Sequence, residues 1–244
     1  MNAPQPSVRS TQRSASHRLG LFGGSFNPIH NGHLAIAHDV HDRMQLSRIL
    51  FIPTGDPPHK QDQSLAPAYA RLEMVRLATA GIPAFDVTDL ELRRKGKSYS
   101  IDTVLELQEQ VGPSTELFFI IGLDAFLDFP MWKTPEQILK ICRFVVVPRP
   151  GQSFSALAKI SLFPHLDPQM LARLDAGAVS KVDIAVPASP GITCLSLPPH
   201  PTSASEIRQR IRSGLPLANM LPPSVESYIL HHNLYQEGSN RTRI

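Results

Sequence analysis

Residues 23–33 read GGSFNPIHNGH and join an apolar run to an amphipathic segment. The apolar run, residues 18–22, ends at the two glycines and is typical of a β-strand. From His33 onward, apolar side chains fall near one stripe at a period of 3.6 residues, which predicts a helix. A second strand is predicted at residues 48–53. These elements form one βαβ unit, which implies two parallel strands joined by a right-handed crossover.

The rest of the chain continues this alternation of apolar strands and amphipathic helices. Strands that are apolar almost throughout are typical of a parallel sheet buried on both faces. We therefore predict an α/β fold, a Rossmann-like open parallel sheet with helices on both faces. Later strands are predicted at 85–92 (one or two strands), 116–121, 143–147 and 194–197. Later helices are predicted at 68–80, 100–111, 135–141, 203–213 and 222–231, with Ser100 as the cap of the second of these.

The domain organisation follows from shifts in composition. Residues 18–236 are predicted to form a single domain between a disordered N-terminal tail, 1–17, and a polar C-terminal tail, 237–244. Residues 149–193 are rich in Pro, Ser and Ala, and we interpret them as an irregular excursion that contains a short helix near 168–174. The N-terminal tail is rich in Ser and Arg but lacks the apolar run of a secretory signal, so we favour a disordered tail over a targeting peptide.

Charge and composition exclude several classes of function. The chain carries 24 basic and 21 acidic residues, and three of the arginines lie in residues 1–18, so the remainder is balanced. The basicity therefore belongs to the tail, and nucleic acid is not expected as a partner. No apolar run approaches the ~18 residues of a membrane span, so no membrane partner is expected. Cys142 and Cys194 form no metal or redox motif, which favours free thiols in a reducing compartment, the cytoplasm.

The loop at residues 23–33 has the chemistry of an anion site. Ligands of open parallel sheets bind at the carboxyl ends of the strands, where this loop lies. Gly23 and Gly24 let backbone N–H groups approach a phosphate closely. His30 and His33 share one face at the start of a helix, where the helix dipole favours negative charge. The spacing matches neither the dinucleotide fingerprint nor the P-loop, and no third ligand lies at a spacing suited to a metal.

A second segment, residues 202–208, reads TSASEIR and has two compatible interpretations. Ser203 and Glu206 fit the capping box of an ordinary helix. The same hydroxyls and free N–H groups, together with Arg208 one turn into the helix, can also bind phosphate. The segment alone does not choose between a structural cap and a phosphate site.

Five motifs together resemble one enzyme family. Residues 23–33 are similar to the signature GGxF(D/N)PxHxGH of the nucleotidyltransferase superfamily. FIPTGDPPHK at 51–60, SYSIDT at 98–103, IGLD at 121–124 with Trp132-Lys133, and the 203–208 segment occur in the same order as in bacterial nicotinate-nucleotide adenylyltransferases. The chain departs from that pattern at three positions. Asn27 replaces the commoner Asp, and Thr202 and Ser205 replace Ile and Thr.

The resemblance implies a reaction and a role for each motif residue. The 5′-phosphate of nicotinate mononucleotide would attack the α-phosphorus of ATP and give deamido-NAD and pyrophosphate, with Mg²⁺ arriving with ATP. Arg149 would assist phosphate binding. The implied catalytic residues are His30, His33 and Arg208; those for ATP are Gly23, Gly24, Ser25, Phe26, Asp124, Ser203 and Ser205; those for the acceptor are His59, Lys60, Tyr99, Ser100 and Trp132.

Alternatives remain at this point. The same chemistry could act on nicotinamide mononucleotide or on phosphopantetheine, although the 57–60 segment and Trp132 disfavour the latter. A nucleotide-binding sensor on the same scaffold would not need His30, His33 and Arg208 together. A zinc hydrolase is a weaker option. No surface pattern identifies a subunit interface, so the sequence leaves open whether the protein is a monomer or a homo-oligomer.

Overall fold

The computed structural model describes residues 17–56, 65–149, 151–160, 166–217 and 219–236. Both predicted tails, apart from position 17, and the predicted acceptor residues His59 and Lys60 lie outside these ranges. Within them, seven strands form one sheet: β1 (His17–Gly24), β2 (Arg48–Pro53), β3 (Phe85–Val87), β4 (Thr115–Gly122), β5 (Cys142–Val147), β6 (Lys181–Ile184) and β7 (Ile192–Leu195).

The strand order is β3-β2-β1-β4-β5-β7-β6. Every neighbouring pair is parallel except β6 with β7, which is antiparallel. The predicted α/β open sheet is confirmed, and its long central strands, β1 and β4, place their carboxyl ends side by side. The order reverses between these two strands, which is where ligands of such sheets bind.

Nine α-helices in the described ranges cover the sheet. They are α1 (Asn31–Met44), α2 (Ala68–Thr79), α3 (Leu90–Arg93), α4 (Ser100–Val111), α5 (Leu123–Leu127), α6 (Pro135–Ile141), α7 (Pro168–Asp175), α8 (Ala204–Arg212) and α9 (Pro223–His231). Two 3-10 helices span Phe129–Met131 and Phe154–Lys159. None of the helices in these ranges has the length and apolar character needed to cross a bilayer.

Two apolar cores lie on opposite faces of the sheet, as the residues of β4 show. Leu117, Phe119 and Ile121 pack into one core with α4, α5 and α6. Phe118 and Ile120, which alternate with them, pack into the other core with α1, α2, α8 and α9. Because successive strand residues face opposite sides, a strand buried on both faces is apolar at nearly every position.

Three details differ from the sequence prediction. The predicted strand region 85–92 contains β3 only as far as Val87, and α3 follows because Leu90 and Glu91 turn into the interior. Ser100 is the first residue of α4 and does not cap it; Tyr99 occupies the cap position without a side-chain bond. Residues 149–193 are more regular than expected.

The excursion contains the predicted helix, as α7, together with a 3-10 helix and the unpredicted strand β6. This strand has only four residues and one buried side chain, Val182, so it leaves no periodic signal. Pairing with β7 and a hydrogen bond from the Thr193 hydroxyl to Asp183 (2.6 Å) hold it at the edge. β7 itself begins two residues before the predicted start at 194.

Candidate active site

A cavity of about 820 Å³ opens at the carboxyl ends of β1, β2, β4 and β5. It is lined by every implied site residue that the described ranges contain. These are Gly23, Gly24, Ser25, Phe26, His30, His33, Tyr99, Ser100, Asp124, Trp132, Ser203, Ser205 and Arg208. Described residues of all five motifs, which lie between positions 23 and 208 of the chain, therefore meet at one concave surface.

The two histidines form a stacked pair at the start of α1. Their ring centres are 3.7 Å apart and the planes are tilted by 30°. The backbone N–H of His30 donates to Nδ1 of His33 at 3.3 Å. A neutral imidazole has one donor and one acceptor nitrogen, so His33 carries its proton on Nε2.

Burial keeps both rings neutral at neutral pH. Desolvation lowers the pKa of His30 to about 3, and the nearby Arg149 adds to the effect. Desolvation also lowers the pKa of His33 well below its ordinary value, with smaller contributions from His30 and Arg149. The pair therefore offers neutral N–H donors to a ligand rather than two positive charges.

Aromatic packing fixes the position of His33. The Phe26 ring meets the His33 ring edge-on, with centres 5.2 Å apart and planes at 75°. Phe26 adopts a φ of 43°, which is uncommon for a residue with a side chain, and it is almost fully buried. A Cβ at Gly24 would lie 3.2 Å from the Phe26 ring, so the glycine permits this close approach. The Asn27–Pro28 peptide bond that follows is cis.

Arg208 on α8 reaches the same loop from the other side. Its Nη1 donates to the Asn27 carbonyl at 2.8 Å and its Nη2 donates to Ser205 Oγ at 3.3 Å. Ser203 Oγ accepts from the Glu206 backbone N–H at 3.2 Å, which confirms Ser203 as the helix cap. The Arg208 Nε is buried and has no hydrogen-bond partner within the described part of the chain. The Arg208 guanidinium and the start of α8 are thus fixed beside the loop at residues 23–33.

Asp124 and Arg149 line the wall formed by β4 and β5. Asp124 follows β4 at the start of α5, and its Oδ2 lies 3.3 Å from Nε of Arg149, which follows β5. Both side chains are partly exposed. Asp124 Oδ1 is buried and makes no hydrogen bond to any residue that the structure describes. This wall presents one oxygen acceptor and one guanidinium to the cavity.

The end of the cavity away from the histidine pair is lined by an aromatic ring, that of Trp132. Trp132 is partly exposed and packs edge-on against Phe129 and Phe119, with ring centres 5.4 and 5.9 Å apart. Tyr99 and Ser100 lie beside it at the start of α4. The first backbone N–H groups of a helix have no acceptor in the helix itself. This end therefore combines a flat aromatic ring with hydrogen-bond donors.

Sequence reasoning missed Arg71, which is only 1% exposed and ties three segments of the site together. Its guanidinium donates to the carbonyls of Ser25 (2.7 Å), Thr54 (2.7 Å), Ala66 (3.1 Å) and Gly55 (3.3 Å). Burial lowers its pKa. The signal that could have found it is a charged residue on the apolar stripe of α2, one turn before the buried Val75.

Glu91 extends this buried network toward α4. Its carboxylate accepts from the Thr103 hydroxyl at 2.9 Å and from the Gly55 N–H at 3.3 Å. Burial raises the pKa of Glu91, and these two hydrogen bonds oppose the increase. A Cβ on Gly55 would overlap the Glu91 backbone carbonyl. Together, the hydrogen bonds of Arg71 and Glu91 join the loop at residues 23–33, the end of β2 and the start of α4.

The donor set of the cavity does not form a metal cage. The described ranges contain no group of three or more His, Cys, Asp or Glu side chains that could hold a metal ion. Asn27, at the position where the resembled family more often has Asp, uses its Oδ1 to accept from the Ala66 N–H at 3.0 Å. A cation in this cavity would therefore depend on ligands other than a preformed protein shell.

Comparison with known proteins agrees with this geometry. The cytidylyltransferase-like family profile matches residues 21–210. A probable nicotinate-nucleotide adenylyltransferase of Geobacter metallireducens is 41% identical over 218 residues, 89% of this chain and 98% of that protein. One of Dehalococcoides mccartyi is 37% identical over 221 residues, 90% and 98% of the two chains.

Solved structures show the same fold. The Plasmodium falciparum nicotinic acid mononucleotide adenylyltransferase complexed with NaAD aligns with a TM-score of 0.64 and 18% identity, over 90% of this chain and 97% of that one. This likeness concerns the fold, whereas the bacterial relatives carry the family assignment. The chain belongs to the nicotinate-nucleotide adenylyltransferase family of cytidylyltransferase-like proteins.

Proposed function

We propose that this protein transfers the AMP moiety of ATP to nicotinate mononucleotide, giving deamido-NAD and pyrophosphate, as a step of NAD biosynthesis. The observation that carries the proposal is the convergence of His30, His33 and Arg208 on one cavity whose far end is lined by Trp132 and the start of α4. The names of the bacterial relatives support the same reaction, and the alignments with this chain cover 98% of each of those proteins.

The attacking phosphate is already an anion at neutral pH, so the reaction needs no general base. The work of the protein is alignment of the reactants and stabilisation of developing charge. His33 would donate its Nε2–H to the α-phosphate, since its Nδ1 is occupied by the His30 N–H. His30 would donate to the neighbouring phosphate oxygens. Gly23, Gly24, Ser25 and Phe26 shape the loop that carries both rings.

The β- and γ-phosphates, and then the leaving pyrophosphate, would lie at the start of α8. Arg208 has a buried Nε that meets no acceptor among the described residues and can serve a phosphate oxygen. Ser205 and the free N–H groups of the first helical turn add neutral donors. Ser203 holds that turn in place through its bond to the Glu206 N–H.

Nucleotidyl transfer generally uses a divalent metal ion, and we propose Mg²⁺ arriving with ATP. When bound, Mg²⁺ would supply positive charge that offsets the negative charge of the phosphates. Because the described residues form no group of three or more His, Cys, Asp or Glu side chains that could hold a metal, phosphates and water would supply most of its ligands. The chain's part is to hold the triphosphate with His30, His33 and Arg208.

The acceptor would occupy the aromatic end. Trp132 would stack on the pyridine ring, and the start of α4, at Tyr99 and Ser100, would receive the nicotinate carboxylate. Asp124 would accept from a ribose hydroxyl and Arg149 would assist a phosphate. His59 and Lys60, outside the described ranges, are proposed for the phosphate side of the acceptor.

We also propose that residues 18–236 act as a single catalytic domain in the cytoplasm, with ATP and nicotinate mononucleotide as partners. Cys142 and Cys194 are both buried free thiols, which supports a reducing compartment. The proposal includes neither nucleic acid nor a membrane as a partner, and homo-oligomer formation is left to direct measurement.

The test is an acceptor panel read by product mass. Purified protein is incubated with ATP, Mg²⁺ and either nicotinate mononucleotide, nicotinamide mononucleotide or phosphopantetheine, and pyrophosphate is measured in parallel. We expect deamido-NAD as the main product. His33→Ala should reduce turnover by about 10²–10³ without loss of fold, as removal of one transition-state donor does in other enzymes. His38→Ala, an exposed histidine of the same helix, is the control.

Full turnover by His33→Ala would contradict the proposed role of the histidine pair. ATP binding without transfer to any acceptor would instead favour a nucleotide sensor.

A further inference from the structure

The side chain of Lys133 bridges the two walls of the aromatic end of the cavity. Its ammonium lies 3.1 Å from both carboxylate oxygens of Asp102 and 4.7 Å from the centre of the Tyr99 ring. Lys133 follows Trp132 on one wall, whereas Tyr99 and Asp102 belong to the start of α4 on the other. Lys133 also lines the cavity itself.

The start of α4 contains opposing preferences for an anion. The backbone N–H groups of Ser100 and Ile101 have no acceptor in the described part of the chain, and the helix dipole adds positive potential there. Asp102, however, is the acidic residue of the same turn. A ligand carboxylate at these N–H groups would meet the negative charge of Asp102 within one turn, which is a repulsive arrangement.

We propose that Lys133 is a specificity-determining residue for the acceptor. Its ammonium cancels the charge of Asp102, so that the start of α4 accepts the carboxylate of a pyridine-3-carboxylic acid nucleotide in preference to the corresponding neutral amide. The inference rests on the proposed function, because it takes the acceptor to lie between Trp132 and α4. It assigns the acid-over-amide preference to a pair of side chains in addition to the helix start.

The charged side chains near Lys133 and Asp102 have partners of their own. Glu106, one turn further along α4, is paired at 2.7 Å with Arg94, which precedes the helix. The carboxylate of Glu91 is buried and accepts from the Thr103 hydroxyl at 2.9 Å. Asp102 and Lys133 are both partly exposed, so solvent screens their effect. An ion pair of this kind is worth about 1 kcal/mol at most, which corresponds to a change in preference of about fivefold.

The experiment compares kcat/KM for nicotinate mononucleotide and nicotinamide mononucleotide in four proteins. These are the wild type, Lys133→Met, Lys133→Arg and the double variant Lys133→Met/Asp102→Asn. We expect Lys133→Met to lower the acid-to-amide ratio about fivefold, through KM for the acid. Lys133→Arg should keep the ratio. Asp102→Asn should restore it in the double variant, because the repelling charge is then absent.

A purely structural role for Lys133 would not produce this rescue, since Asn cannot replace the lost bridge. Lys140→Met, which removes an exposed lysine from α6, is the matched control and should leave the ratio unchanged. An unchanged ratio in Lys133→Met, or a reduced ratio that Asp102→Asn fails to restore, overturns the inference.

A binding measurement separates this inference from the proposed function. Trp132 is the single tryptophan of the chain, so quenching of its fluorescence reports acceptor binding without any catalysis. If the wild type binds the acid nucleotide with the Lys133-dependent preference but forms no product, the reaction is wrong and the specificity role stands. If it forms product but the acid-to-amide preference is the same with and without Lys133, the reaction stands and the specificity role of Lys133 is wrong. Absence of binding by either nucleotide contradicts both.

Discussion

The histidine pair predicts an acid-sensitive fold, and the buried His30 allows the size of the effect to be worked out. Its pKa is about 3 in the folded protein against an ordinary value of 6.5. Between these values the unfolded chain binds a proton at this position and the folded chain does not, so the free energy of unfolding falls as the pH falls below 6.5. Each pH unit costs about 1.4 kcal/mol, which amounts to about 2 kcal/mol from His30 alone at pH 5.0.

The variant His30→Asn removes this titration while keeping the local structure. His30 occupies the N-cap of α1, and Asn is among the most favourable residues at that position. We expect His30 to cost the wild type about 2 kcal/mol between pH 7.5 and 5.0, with His33 acting in the same direction, and the variant to lose about 2 kcal/mol less than the wild type. Urea unfolding followed by circular dichroism at both pH values measures the difference.

The double variant His30→Asn/His33→Asn should flatten the pH dependence further, because both depressed groups are removed. Circular dichroism at pH 7.5 checks that each variant is folded. If His30→Asn loses as much stability as the wild type over this range, the imidazole is not held neutral by the fold, and the interpretation of the pair as neutral donors is wrong.

Three substitutions, two of them with a control variant, test the supports of the site by urea unfolding. Arg71→Met should cost about 3–5 kcal/mol, because four carbonyls at least partly shielded from solvent lose their donor. Its control, Arg76→Met on the exposed face of the same helix, should cost less than about 0.5 kcal/mol, and equal costs would refute the role of the buried guanidinium. Gly55→Ala should cost about 1–3 kcal/mol, since its Cβ would overlap the backbone carbonyl of Glu91 in α3. No loss of stability would mean that the segment after β2 can move away from α3 without cost. Ser203→Ala should cost about 1 kcal/mol as a lost helix cap and Ser205→Ala less than about 0.5 kcal/mol; the opposite order would reverse their assignments.

The sheet could be predicted because its central strands are buried on both faces. The predicted strand 48–53 and the predicted helix 135–141 agree with the observed boundaries, since Pro53 ends the strand and Pro135 begins the helix. The site motifs could be placed at one edge because parallel strands bring their carboxyl ends together. Strand β6 could not be predicted, since its four residues gain their stability from pairing with β7 and not from a periodic pattern.

The supporting residues were harder to predict than the residues of the motifs. Arg71 and Glu91 are charged, and on a helix a charge normally indicates a solvated face. Their burial depends on carbonyl and amide groups of distant loops, which no local pattern reveals. The capping role of Ser203 could be predicted because its partner, the Glu206 N–H, is three residues away.

The state of the histidine pair explains why imidazoles suit this position. Two rings whose centres are 3.7 Å apart, one buried and the other half-buried, could not both carry a positive charge without strong repulsion. As neutral groups they stack, and each still presents an N–H. A triphosphate brings negative charge beside them, which shifts the balance toward protonation and strengthens the hydrogen bonds at the moment when charge develops on the transferred group. Lysine side chains in the same place would need a charge partner before the substrate arrives, whereas the imidazole pair needs only the aromatic packing that Phe26 supplies.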